Sequence, residues 1–171
     1  MAQNRYYHYF VEGNNEEKIV KILKTDMQLI MPGKVQVFNV VEQRLSKPRI
    51  ATLKPGTIVV LVFDTDTGNL STLMKNIAFL NEEKTIKEVL CITQVKNLED
   101  ELIRSCDIKQ IRELTGSKTN TEFKHDMLND SNLTFCKKLT KYNFDFDKFW
   151  SMNDEEEYRD IPNDAIKIKL Q

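Results

Sequence analysis

The sequence contains few of the residues that cross-link small domains or bind soft metals. Its three cysteines are far apart and form no C-x-x-C pair, which excludes a disulfide framework and a zinc knuckle. Cys91, Cys106 and Cys136 are therefore expected to be ordinary, mostly buried thiols. The only histidines are His8 and His125, so one chain cannot supply the three imidazoles that some metal sites need.

Long apolar runs and an excess of one charge are also missing. No stretch approaches the roughly 18 apolar residues of a membrane-spanning helix, and the first ten residues lack a signal-peptide pattern. We therefore expect a cytoplasmic protein that does not enter membranes. The 25 Lys and Arg residues against 26 Asp and Glu residues give a net charge of −1, which excludes a protein that coats polyanions. Affinity for nucleic acid would need a local basic patch or a metal.

The residues that are present predict an α/β fold. In the first half of the chain, strand-like segments alternate with segments of helical periodicity, which is typical of a parallel sheet covered by helices. We expect a Rossmann-like, mostly parallel sheet of about four strands flanked by helices, with a helical C-terminal part. The expected strands are residues 6–11, 35–41, 57–63 and 87–93, and the expected helices are residues 16–23, 70–80, 98–106, 108–114, 122–128 and 133–139.

The 171 residues are enough for one core and at most a small appendage. Residues 1–105 are expected to form the α/β domain that carries the chemistry. Residues 106–171 are expected to form a helical extension that packs on the same core and ends in an acidic tail around residues 154–157. Asn15 is expected to cap the first helix.

Acidic residues follow two of the predicted strands. Glu12 comes after the first strand, and Asp64 and Asp66 follow the apolar strand 57–63. Ligands of open α/β sheets bind beyond the carboxyl ends of the strands, and residues i and i+2 of an extended segment point the same way. Two carboxylates about 4 Å apart repel by roughly 4 kcal/mol at an effective dielectric near 20. The cluster therefore predicts a hard divalent cation held by carboxylates and water.

An Asp-x-Asp pattern alone is weak evidence, because it is common and also caps turns. The chain contains a second example, Asp145-Phe146-Asp147, which has no apolar strand before it and is given no functional role. For Asp64 and Asp66 turn capping stays an alternative, which the presence of Glu12 makes weaker.

These segments resemble a known family. Residues 10–17 (FVEGNNEE) and 60–68 (VLVFDTDTG) are similar to the first and second motifs of the Toprim domain, and the resemblance covers about residues 6–102. It implies a Toprim-like fold, one or two Mg²⁺ or Mn²⁺ ions, Glu12 as general acid/base or metal ligand, and Asp64 and Asp66 as metal ligands.

Within that family the chain is most similar to a small stand-alone nuclease of the OLD (overcoming lysogenization defect) type. Glu16 matches the second acid of the pattern E-G-x-x-E, and residues 97–102 (NLEDEL) are similar to a later acidic motif. The resemblance implies that Glu16, together with Glu99 or Asp100, contributes to the metal site. The alternatives are a helix-dipole acid for Glu16 and a solvated helix start for residues 99–101.

The function that follows is metal-dependent hydrolysis of phosphodiester bonds in DNA or RNA. The chain lacks a G-x-x-x-x-G-K-[S/T] motif, so the resemblance implies a separate ATPase partner in phage defence or action alone, with a homo-oligomer left open. Lys118 or Lys124 could stabilise the transition state, and no spacing selects between them. The expected nucleic-acid contacts, each of which could instead be a solvated cation, are Arg44, Lys47 and Arg49 in a basic loop and Lys137 and Lys138 in a helix.

Two other functions are open. Residues 63–66 (FDTD) also resemble the nucleophile motif of haloacid-dehalogenase-like phosphatases, with Asp64 as nucleophile and Asp66 as acid/base. That family usually begins with this motif, whereas here 63 residues precede Asp64 and Glu12 would have no role. The other function is a non-catalytic binding module on a Toprim-like scaffold.

Overall fold

The fold is a four-stranded sheet in which every pair of neighbouring strands is parallel. The computed structural model describes residues 5–67, 69–153 and 156–170. The strand order is β2-β1-β3-β4, with helices on both faces, so the predicted α/β architecture is confirmed. The strands are β1 (Tyr6–Val11), β2 (Gly33–Val37), β3 (Thr57–Asp64) and β4 (Ile86–Gln94).

Three sequence features fall outside the described residues. They are the first four residues of the N-terminal segment, Gly68 at the end of the second motif, and Asp154 and Glu155 of the acidic tail.

The central strand β3 explains why the sheet forms in this order. Seven of its eight residues are buried, as expected for a parallel strand covered by helices on both faces. In the register, Val11 of β1 lies beside Val62 of β3, and Asp64 lies beside Gln94 of β4. The carboxyl ends of three strands therefore meet at one edge, which we call the carboxyl edge.

Seven α-helices lie in the described part of the chain, most of them where apolar periodicity predicts them. A π-helical segment, Ile22–Asp26, continues α1, and the segment 108–114 contains only a 3₁₀ turn at Ile111–Glu113. The helices are α1 (Asn14–Lys21), α2 (Lys47–Ile50), α3 (Ser71–Glu82), α4 (Leu98–Ser105), α5 (Asn120–Asn129), α6 (Asn132–Lys141) and α7 (Ala165–Ile168).

Three local predictions are corrected. Gly13, not Asn15, is the N-cap residue of α1, and the Asn15 side chain instead donates a hydrogen bond to the carbonyl of Lys124 (3.1 Å). The predicted basic loop includes α2, a single helical turn that has Pro48 where proline is tolerated. The strand predicted at residues 35–41 lies instead at Gly33–Val37, and a Cβ atom at Gly33 would lie 2.5 Å from the Tyr7 carbonyl oxygen.

The sheet separates two apolar cores. One face packs against α1, α4, α5, α6 and α7 and buries Phe123, Phe135 and Trp150. The other face packs against α3 and residues 38–53. Cys91 and Cys106 are buried and Cys136 is partly so. None of the helices within the described ranges has the length and apolar character that a bilayer span requires.

Candidate active site

Glu12 and Asp64 meet at the carboxyl edge. Glu12 directly follows β1, Asp64 ends β3, and the two strands are hydrogen-bonded neighbours. The backbone N–H of Asp64 donates to Glu12 Oε2 at 3.0 Å. Strand pairing alone therefore brings together two acids that lie 52 residues apart in sequence.

The third strand end adds Gln94, which the sequence analysis missed. Gln94 Nε2 donates to Asp64 Oδ1 (2.6 Å), and Gln94 Oε1 accepts from Trp150 Nε1 (3.2 Å). The amide thus fixes the orientation of the Asp64 carboxyl group. A signal was available, because Gln94 is a polar residue directly after an apolar strand, in the same position as Asp64.

Glu16 lies one helical turn beyond Glu12, in the first turn of α1. A Cβ atom at Gly13 would lie 2.9 Å from Glu16 Oε2, so the glycine leaves room for this carboxylate beside the turn. Burial raises the pKa of Glu16 and the charge of Glu99 raises it further, while Lys124 opposes the shift. Glu16 is therefore part of the same acidic cluster, in addition to lying at the positive end of the helix dipole.

The acids at this edge are poorly neutralised. Burial raises the pKa of Asp64 to about 9, with a further contribution from the Glu12 charge and an opposing hydrogen bond from Gln94. Burial also raises the pKa of Glu12, and the charges of Glu16 and Asp66 add to the effect, although hydrogen bonds with Asp64 oppose it. Without a cation these raised pKa values favour the protonated forms of the acids, and the ionised form of the cluster needs a positive partner.

Lys124 supplies the cation near these acids. Its Nζ lies 2.9 Å from Glu99 Oε1. The hydrogen bond with Glu99 raises the pKa of Lys124, and the charges of Glu99, Glu16 and Asp64 raise it further, while burial opposes the shift. Of the two lysines left open by the sequence, the structure therefore brings Lys124 to the acids.

Asp66 and Asp100 lie at the periphery of the cluster. Asp66 is exposed just beyond β3, while Thr65 between the two aspartates is buried and accepts a hydrogen bond from the Lys96 N–H (3.0 Å). Asp100 lines a groove of about 490 Å³ together with Glu99, Asn120 and Lys124. The groove opens beside the carboxyl edge and is large enough to accept part of a substrate.

Glu101 differs from its two acidic neighbours. It is fully buried, and its carboxylate accepts hydrogen bonds from the backbone N–H groups of Val95 (2.9 Å) and Trp150 (2.9 Å) and pairs with Arg104 (2.7 Å). A solvated helix start is therefore wrong for Glu101, which ties α4 to the C-terminal part of the chain. Its role is structural.

The donor chemistry of the cluster suits a hard divalent ion, since the carboxylate oxygens of Glu12, Asp64 and Asp66 are ligands that Mg²⁺ and Mn²⁺ accept. Within residues 5–67, 69–153 and 156–170, no three His, Cys, Asp or Glu side chains are placed so that they could hold a metal ion as they stand.

The predicted nucleic-acid contacts have different surroundings. Arg49 stacks on the Phe38 ring (4.5 Å to the centroid), and Lys138 pairs with Asp130 (2.7 Å). Lys47 lies 3.9 Å from Glu83 and is otherwise exposed. Arg44 and Lys137 are exposed. Four of the five side chains are exposed, and Lys138 is the exception.

Comparisons of the chain with protein-family models, with curated proteins and with solved structures find no match. The features that bear on function are therefore the geometry of the carboxyl edge and the two motif resemblances.

Proposed function

We propose that the protein is a metal-dependent nuclease that hydrolyses phosphodiester bonds of DNA or RNA at the carboxyl edge of its sheet. The observation that carries the proposal is the hydrogen bond between the Asp64 backbone and the Glu12 carboxylate, which joins acids from the two motifs at one point. The resemblance of those motifs to the Toprim domain, and within it to OLD-type nucleases, supports the same function.

In this proposal Glu12, Asp64 and Asp66 hold one Mg²⁺ or Mn²⁺ ion, and Glu16, Glu99 and Asp100 contribute to a second. Bound metal would activate the attacking water and stabilise the departing oxygen, the two difficulties of phosphodiester hydrolysis. The burial of Asp64 supports metal binding at this position. Ionising a buried carboxyl group costs free energy, and a bound cation would offset that cost.

The chain's own residues prepare the site. Gln94 orients Asp64 and is in turn held by the Trp150 indole. Lys124 lies between the acids and the adjoining groove, where its ammonium group can contact a phosphate and stabilise developing charge. Exposed Arg44, Lys47 and Lys137 would neutralise the nucleic-acid backbone. A cytoplasmic location, a role in phage defence and a separate ATPase partner belong to the same proposal.

Metal-dependent cleavage by the purified chain tests the proposal. End-labelled single- and double-stranded DNA and RNA are incubated with Mg²⁺, Mn²⁺ or EDTA, and we expect cleavage only with metal. The double variant Asp64→Asn with Asp66→Asn should lose about 100-fold or more of the rate. The matched variant Asp145→Asn with Asp147→Asn removes the same charges elsewhere and should retain it. Full activity of the first variant, or a wild-type chain that neither cleaves nor binds metal, contradicts the proposal.

The same samples separate the nuclease from the phosphatase. The phosphatase alternative gives Glu12 no task, whereas in the structure Glu12 accepts a hydrogen bond from Asp64. We expect acid quenching in the presence of a radiolabelled phosphomonoester to trap no aspartyl-phosphate. A phosphoryl group on Asp64 would favour the phosphatase.

A further inference from the structure

A second pocket lies at the amino ends of the strands, opposite the carboxyl edge. It has a volume of about 270 Å³ and is formed where β1, β2 and β3 begin and by the residues that precede β3. A strand of six residues rises about 3.3 Å per residue, so the pocket and the acidic cluster are separated by roughly 20 Å. The two sites are therefore distinct.

Among the described residues that line this pocket, the charged side chains are all basic. Arg5, Lys34 and Lys54 line it, no acidic residue does, and none of the three forms an ion pair with another described residue. Lys54 Nζ instead lies 4.8 Å from the centre of the Tyr6 ring. In a chain with a net charge of −1, three uncompensated cations around one small cavity form a local anion-attracting centre.

Part of the pocket lining is buried and mixes apolar and polar side chains, among them Leu53, His8 and Thr57. Leu53 and His8 are 9% and 4% exposed, and the His8 ring lies against Phe10 (4.7 Å between centroids). His8 Nε2 is 3.2 Å from Gln36 Oε1. A buried lining lowers the local dielectric, so the cations beside it attract an anion more strongly than they would on an open surface.

The size and aromatic lining narrow the class of ligand. The volume is slightly below the roughly 300 Å³ at which pockets begin to enclose drug-sized molecules, so the pocket can enclose the phosphate end of a small ligand but not a much larger molecule. Tyr6 is 37% exposed beside the cations. Proteins that bind single-stranded nucleic acid without reading its sequence combine cations, which contact the phosphates, with aromatic rings, which stack on the bases.

We propose that this pocket binds the phosphate group of a nucleotide, either free or at the end of a nucleic-acid strand. The proposal is independent of the nuclease activity, because it uses residues at the opposite edge of the sheet.

Binding is measured by calorimetry with the full chain in EDTA, so that divalent metal at the carboxyl edge plays no part. The probes are AMP, adenosine, and an oligothymidine strand with either a 5′-phosphate or a 5′-hydroxyl group. The pocket variant is Lys34→Ala with Lys54→Ala, and the control is Lys75→Ala with Lys109→Ala. All four lysines are exposed, so the two variants make the same charge change without disturbing the core.

We expect the phosphate-bearing probes to bind at least about tenfold more tightly than their phosphate-free counterparts, because charge-assisted hydrogen bonds to phosphate are strong. The pocket variant should raise the Kd about tenfold or more and the control less than about twofold. Tighter binding of the 5′-phosphorylated strand than of AMP identifies a strand end as the ligand, and the reverse order identifies the free nucleotide. Equal weakening in both variants, or no binding of any phosphate-bearing probe up to about 10 mM, overturns the proposal.

Discussion

The chain contains two Asp-x-Asp sequences, and their surroundings are opposite in charge. Asp64 lies at the end of a buried strand, where its nearest partners are the Glu12 carboxyl group and the Gln94 amide. Asp145 and Asp147 lie in a turn after α6, where each has a lysine nearby, Lys148 at 3.6 Å and Lys169 at 3.4 Å. The first pair lies beside another acid, and the second pair lies beside lysines. The strand that precedes the pattern, not the pattern itself, therefore makes the candidate site.

The two Asp-x-Asp sequences differ in two properties, burial and the presence of a positive partner. Asp147 is almost fully exposed, with 94% of its side chain accessible, so it differs from Asp64 in both. Glu101 separates the two properties, because it is completely buried and yet has Arg104 and two backbone N–H groups as partners.

The largest expected effect comes from removing Glu101. Glu101→Ala leaves Arg104 and two backbone donors without their acceptor, which should lower the free energy of unfolding by about 3 to 5 kcal/mol. A loss of that size lowers the Tm by about 10 °C in a domain of this length. Glu99→Ala breaks only the partly exposed pair with Lys124 and should cost less than about 1 kcal/mol. The free energy of unfolding of both variants is measured by thermal and denaturant unfolding. If Glu101→Ala loses no more stability than Glu99→Ala, Glu101 is not a structural residue.

A smaller effect is expected on metal affinity. Titration calorimetry with Mn²⁺ should show a Kd that rises at least about tenfold, or about 1.4 kcal/mol, in Asp64→Asn with Asp66→Asn. In Asp145→Asn with Asp147→Asn the Kd should stay unchanged, because those carboxylates already pair with lysines. If both double variants weaken binding equally, the two Asp-x-Asp sequences are equivalent and the comparison fails.

The smallest effect is the pH dependence of stability without metal. Because the pKa of Asp64 is raised to about 9 in the fold, the folded protein keeps a proton that the unfolded chain releases near pH 4. The resulting stabilisation is complete below about pH 4 and is lost as the pH rises through about 9.

Asp64→Asn cannot ionise, so at pH 8 in EDTA it should melt at least about 2 °C above the wild type, a gain of at least about 1 kcal/mol. Thermal melts from pH 5 to 9 check this expectation. Asp145→Asn should show no such gain, because Asp145 lies at the surface beside Lys148. A wild-type Tm that rises with pH over this range would contradict the assignment.

The sequence was sufficient to predict the meeting of Glu12 and Asp64, because parallel strands end at the same edge and the apolar run of β3 fixes where it ends. Gln94 was not predicted as a site residue, because the predicted strand ended at residue 93, one residue before the end of β4. Lys124 could not be selected, because it reaches the acids only through the packing of α5 on α1, where Asn15 bonds to the Lys124 carbonyl. Such contacts between distant helices leave no periodic signal in the chain.

Trp150 is the only tryptophan, and its indole N–H is one hydrogen bond from Gln94 and two from Asp64. The chain thus carries its own optical reporter beside the acidic cluster. A cation that draws the Asp64 carboxylate away from Gln94 would alter the polarity around the indole, so the wavelength of ultraviolet emission should follow occupancy of the edge without any added dye.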